Sequence, residues 1–73
     1  MVRAKFLVQS KTENADHGFE IEMWPVVGGS PENEAFYKYT PGGKIGLVTV
    51  NPDAAAQFTP GKKYYVSFEE APE

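Results

Sequence analysis

The strongest constraint on this chain is a period-two alternation that recurs in separate stretches. From Val2 to Gln9, the side chains of Val2, Ala4, Phe6 and Val8 fall on one face. Arg3, Lys5 and Gln9 fall on the other, with Leu7 the apolar exception. Phe19, Ile21 and Met23 repeat the pattern around outward Glu20 and Glu22. Tyr64, Val66 and Phe68 repeat it around Lys63, Tyr65 and Ser67. Successive side chains of a strand point to opposite faces, so each stretch reads as a half-buried strand. Setting Ala4 against Met23, Phe6 against Ile21 and Val8 against Phe19 keeps one face apolar. The same register places Lys5 opposite Glu22. It leaves SKTENADHG, residues 10–18, as the loop between the first two strands.

A second organising stretch is FYKYTPGGKIGLVTV, Phe36 to Val50, which reads as a hairpin around Pro41-Gly42-Gly43. Pairing Thr40 with Gly43 turns Phe36, Ile45, Leu47 and Thr49 inward and Tyr37 and Tyr39 outward, with Gly46 leaving room for a ring. Ser30-Pro31-Glu32 before it has the order of a helix cap, a first-turn proline and an acid, and predicts a single helical turn. Asn51-Pro52-Asp53 repeats that signature ahead of Ala54–Gln57, and Thr59-Pro60-Gly61 ends the turn. Phe58 is placed to plug an open end of the sheet. The order is strand, strand, connector, strand, strand, helical turn, strand. It predicts an all-β domain, a five-stranded SH3-like small barrel with a helical turn before the last strand, with an OB-like barrel as the alternative. Phe6, Ile21, Leu47 and Val66 are the expected core.

The chain has 73 residues and no cysteine, so a single small domain must be held by its apolar side chains, without disulfides. Oligomerisation is one way such a domain gains stability. No run of about 18 apolar residues is present, which predicts no membrane span. The opening residues lack the apolar block of a secretory signal. A net charge of -3 argues against general binding to a phosphate backbone.

Candidate chemistry is thin. His17 is the only histidine and stands in a polar loop, and Ser10, Ser30 and Ser67 have no recognisable nucleophile setting. No zinc or calcium ligand pattern occurs. Glu20 and Glu22 read as cross-strand partners of Lys5 rather than as a catalytic pair. No catalytic residue, metal site or cofactor is expected. The stronger signal is aromatic and basic together: Tyr37, Tyr39, Trp24 and Tyr65 on outward faces, with Lys38, Lys44 and Lys63 near them. Such rings can stack on bases, anchor a protein interface, or form a second small core in a twisted barrel.

The segments FYKYTPGGKIGL, NPDAAAQFTPGKKYYVSF and VRAKFLVQS resemble small accessory proteins encoded by tailed bacteriophages and prophages. The resemblance implies viral origin and action in the cytoplasm of an infected bacterial host, with no residue role attached. The resulting expectation is a non-enzymatic binding protein serving counter-defence. It would sequester a host protein or a small nucleotide-like ligand through an aromatic outer face. A self-assembling virion-associated barrel and a single-strand nucleic-acid binder are the rivals.

Overall fold

The computed structural model describes residues 2–16, 18–38 and 42–72. The elements run β1 (Val2–Asn14), β2 (Gly18–Pro25), α1 (Pro31–Tyr37), β3 (Ile45–Thr49), α2 (Pro52–Ala55) and β4 (Lys63–Phe68). The strands form one curled antiparallel sheet in the order β3-β2-β1-β4, a half-barrel open between β3 and β4. The mainly β architecture follows the alternation in the sequence. The expected strand starting at Phe36 is instead helix through Tyr37, so the described residues hold four strands rather than five. The expected turn at Thr40 and Pro41 lies outside the described residues, as do His17 and Tyr39.

The first hairpin is longer than its alternation suggests. Val8, not Ala4, stands opposite Met23, and pairing continues to Asn14 opposite Gly18. The SKTEN half of the expected loop is therefore strand, and only residues 15–17 connect β1 to β2. Gly18 is required there. Its φ is +78°, and a Cβ would lie 2.5 Å from the Thr49 carbonyl oxygen. The displacement is an even number of residues, so the buried faces are as expected.

A bulge between Val8 and Ser10 then inverts the alternation, bringing Lys11 opposite buried Ile21. From this inner face the Lys11 Nζ donates to the Ala55 carbonyl at 3.1 Å, the C-terminal end of α2, where a cation is favoured.

The core is Ala4, Phe6, Val8, Ile21 and Met23, all on the concave face, with Tyr37, Ile45, Phe58, Tyr64 and Val66 packed around it. Phe6 and Ile21 are buried as expected, and Phe58 packs against the core while lining the seam. Val66 is only half-buried, and Leu47 is 41% exposed. Leu47 fails as a core residue because β3 is an edge strand beside the open seam, with no strand beyond it among the described residues. Phe36 also fails. It lies on α1, stacked against Phe68 with ring centroids 6.1 Å apart.

α1 is built from the expected cap and extends past its first turn. The Ser30 hydroxyl accepts the Asn33 amide at 3.3 Å, and Pro31 opens the helix. Asn33, buried on this helix, fixes it to the sheet. Its Nδ2 donates to the carbonyls of Lys5 at 2.8 Å and Val26 at 3.0 Å, and its Oδ1 accepts the Lys5 amide. The side-chain amide thus continues the hydrogen bonding of β1 where β2 leaves it at Pro25, whose ring has no N–H to offer.

Candidate functional site

The convex face of the sheet is assembled by cross-strand pairing. Leu7 stands between Trp24 on β2 and Lys63 on β4, and in the next row Lys5 stands beside Tyr65. Arg3 follows opposite Ser67. Because Phe6 and Val8 point into the core, Arg3, Lys5 and Leu7 must point outward. Trp24 is 47% and Tyr65 52% exposed, large rings left in solvent on a domain with few places to hide them.

Local charges hold this surface in place. The Arg3 guanidinium lies 4.4 Å from the centroid of the Tyr65 ring, and the Lys5 ammonium 5.4 Å from it. The Tyr65 hydroxyl donates to Glu32 Oε1 at 3.0 Å, and the Ser30 hydroxyl donates to Glu32 Oε2 at 2.8 Å. The Glu32 carboxylate is held below its usual range first by its own backbone amide, then by the Ser30 and Tyr65 hydroxyls, with Lys5 adding attraction. Across the face, the Trp24 indole N–H donates to Glu22. Each exposed ring therefore has a carboxylate bonded to its polar end.

This face brings together Trp24, Lys63 and Tyr65 of the residues expected from the sequence. The other expected residues that the structure describes, Tyr37, Lys38 and Lys44, lie elsewhere. Tyr37 is turned onto the core from α1, and burial raises its phenol pKa. That ring belongs to the packing of the helix and not to an outer hairpin face. Lys38 is the C-terminal cap of α1, at φ 72° with its amide on the Glu34 carbonyl at 2.9 Å. Lys44 is exposed just ahead of β3, on the opposite side of the sheet from β4. Arg3, Lys5, Leu7 and Glu32 were not singled out from the sequence. The alternation had already put Arg3 and Lys5 outward, but nothing local tied them to Tyr65 far along the chain.

Two other concavities flank the face. A cleft of about 380 Å³ runs along the open seam, lined by Met23, Ile45, Leu47, Phe58, Tyr64 and Val66 among others. A hollow of about 530 Å³ lies between α1 and the start of β1, around Val2, Arg3, Glu32, Ala35 and Phe36. Among the described residues, no three histidine, cysteine or acidic side chains gather in a metal-binding arrangement. No helix among them is long and apolar enough to cross a membrane. No family model matches this chain, and neither the curated proteins nor the solved structures compared with it give a match.

Proposed function

We propose that this chain is a non-enzymatic binding protein that recognises a host protein through its convex face. The observation that carries the reading is the pairing of Trp24–Leu7–Lys63 with Lys5–Tyr65, which exposes two large rings among cations. Tryptophan, tyrosine and arginine are the side chains that most often dominate interface energies. A nucleotide-like ligand fits less well. Arg3 already lies over Tyr65, and a phosphate approaching either ring meets the carboxylate of Glu32 or Glu22.

In this reading the partner is a protein of an infected bacterial cell, sequestered for counter-defence, as the resemblance to bacteriophage accessory proteins implies. The helical turn just before the last strand supports kinship with SH3-like small barrels, with α1 standing where one strand was expected. Self-assembly of a virion-associated component is the second reading, supported by the uncovered edge of β3.

The test is affinity capture in a bacterial lysate with tagged chain, followed by native mass spectrometry, in parallel with a Trp24→Ala/Tyr65→Ala variant. The expected result is one host protein retained by the parent and lost by a variant with an unchanged thermal melt. Equal retention by both, or retention of a nucleotide alone, overturns the reading.

A further inference from the structure

β3 is a short strand with no charged residue, and among the described residues no strand pairs with its outer edge. Ile45, Leu47 and Thr49 share the face of their β2 partners Met23, Ile21 and Phe19, while Gly46 and Val48 lie opposite Glu22 and Glu20 on the convex side. Val48 is 64% exposed. Exposed β edges are usually blunted by lysine, proline or a bulge, because unpaired N–H and C=O groups recruit another strand. The span Ile45–Thr49 carries none of these.

We propose that β3 pairs with β3 of a second copy of this chain, antiparallel and symmetric about Leu47. A two-fold interface requires a self-complementary patch, and this strand is one. Symmetry about Leu47 pairs all five residues: Leu47 meets Leu47, Ile45 meets Thr49, and Gly46 meets Val48. Apolar side chains then face each other on the concave side. On the convex side each Val48 lies beside a glycine with nothing around the position of its missing Cβ.

Charge selects the same occupant. The convex groove beside β3, about 320 Å³, is lined by Ser10, Thr12, Glu20, Glu22, Gly46 and Val48 among others, and its only charges are carboxylates. In the antiparallel pair, Lys44 just ahead of β3 falls opposite Val50 of the other copy and on the convex side. Two strand spacings, about 10 Å, then separate its strand from the β2 strand that carries Glu20. A lysine reaching toward a glutamate spans that gap, so each copy supplies a cation to the other's acidic groove. The joined sheet has eight strands with both concave faces on one side, and the convex rows of Trp24 and Tyr65 stay uncovered.

Sedimentation over a concentration series tests this with Lys44→Glu, Glu20→Lys and an equimolar mixture of the two. Both positions are solvent-exposed, so the variants should melt like the parent. The parent should dimerise weakly and reversibly, as a small interface dictates. Each variant alone sets like charges against each other twice over and should weaken the dimer roughly tenfold. The mixture restores both attractions and should form a heterodimer at least as tight as the parent dimer. Val48→Lys places a lysine on the edge and should give a monomer. A parent that stays monomeric up to about 1 mM, a dimer indifferent to all three substitutions, or a mixture no tighter than its components overturns the proposal.

Discussion

Replacing Asn33 with alanine should remove a large part of the stability of this domain. The side chain is 2% exposed and makes three hydrogen bonds to the backbone of Lys5 and Val26. Alanine leaves the Lys5 carbonyl with its bond from the Val26 amide at 3.0 Å, so that group stays satisfied. The Lys5 amide loses its partner between β1 and α1, and the Val26 carbonyl loses one bond. An unsatisfied buried donor costs about 1–3 kcal/mol, and a lost ordinary bond about 1 kcal/mol more. The expected loss is about 2–4 kcal/mol. A domain of 73 residues has a total stability of about 4–11 kcal/mol.

Asn33→Asp refines the test because it keeps the acceptor and the volume but turns a donor into a second anionic oxygen. That oxygen would face two carbonyls, so at neutral pH the variant should be less stable than Asn33→Ala. Protonation restores a donor. The folded pKa of the new carboxyl should therefore lie above its unfolded value. Its contribution is then present in acid and is lost as pH rises through the carboxylate range. Urea unfolding at several pH values measures all of this. An Asn33→Ala variant within about 0.5 kcal/mol of the parent, or an aspartate variant more stable than alanine at pH 7, would refute the view that this amide stands in for a strand.

Leu47→Ala should cost less than about 1 kcal/mol, and Ile21→Ala about 2–5 kcal/mol, because only the second leaves a cavity. Equal losses in urea melts would mean that the seam beside Leu47 is closed in solution. Glu32→Gln should flatten the acid side of the stability profile. The parent carboxylate is held low, so its contribution is present above the ordinary carboxylate pKa and lost as pH falls below it. Thermal melts from pH 7 to pH 3 compare the two. Mixed single-stranded oligonucleotides should not bind at low salt in a fluorescence anisotropy titration. Binding with a steep salt dependence would favour the nucleic-acid rival.

The parts of the fold legible in the sequence are those where one face is buried. Val2–Val8, Phe19–Met23 and Tyr64–Phe68 show the alternation because only their concave side chains meet a core. Ser10, Thr12 and Glu13 are exposed, so no alternation marks Ser10–Asn14 as strand, and the register was misplaced with it. Both helix starts were readable, since a cap, a proline and an acid act locally. The length of α1 was not. Phe36 and Tyr37 have strand propensity, and what makes them helical is tertiary: Asn33 bonded to β1, Tyr37 on the core and Phe36 against Phe68. The candidate face was half legible for the same reason. Trp24, Lys63 and Tyr65 follow from strand parity, whereas Tyr37 was lost to the helix and Glu32 gained by it.

That gain shows what the helix does for the face. Past Pro25 the chain gives β1 one more backbone bond, from the Val26 amide to the Lys5 carbonyl, which alone would leave the first residues of β1 with a bare edge on that side. α1 fills the place of a strand through one amide side chain and, unlike a strand, brings its first turn with it. Glu32 in that turn reaches the Tyr65 hydroxyl across Lys5, fixing the ring beside Arg3 and setting a negative charge at the rim of a basic patch. Without that turn, Arg3 and Lys5 would lie beside the Tyr65 ring with no carboxylate bonded to its hydroxyl. With the helix there, the rings sit among charges of both signs. Aromatic rings to desolvate and charges of both signs to match are what a protein partner would meet there under the proposed reading.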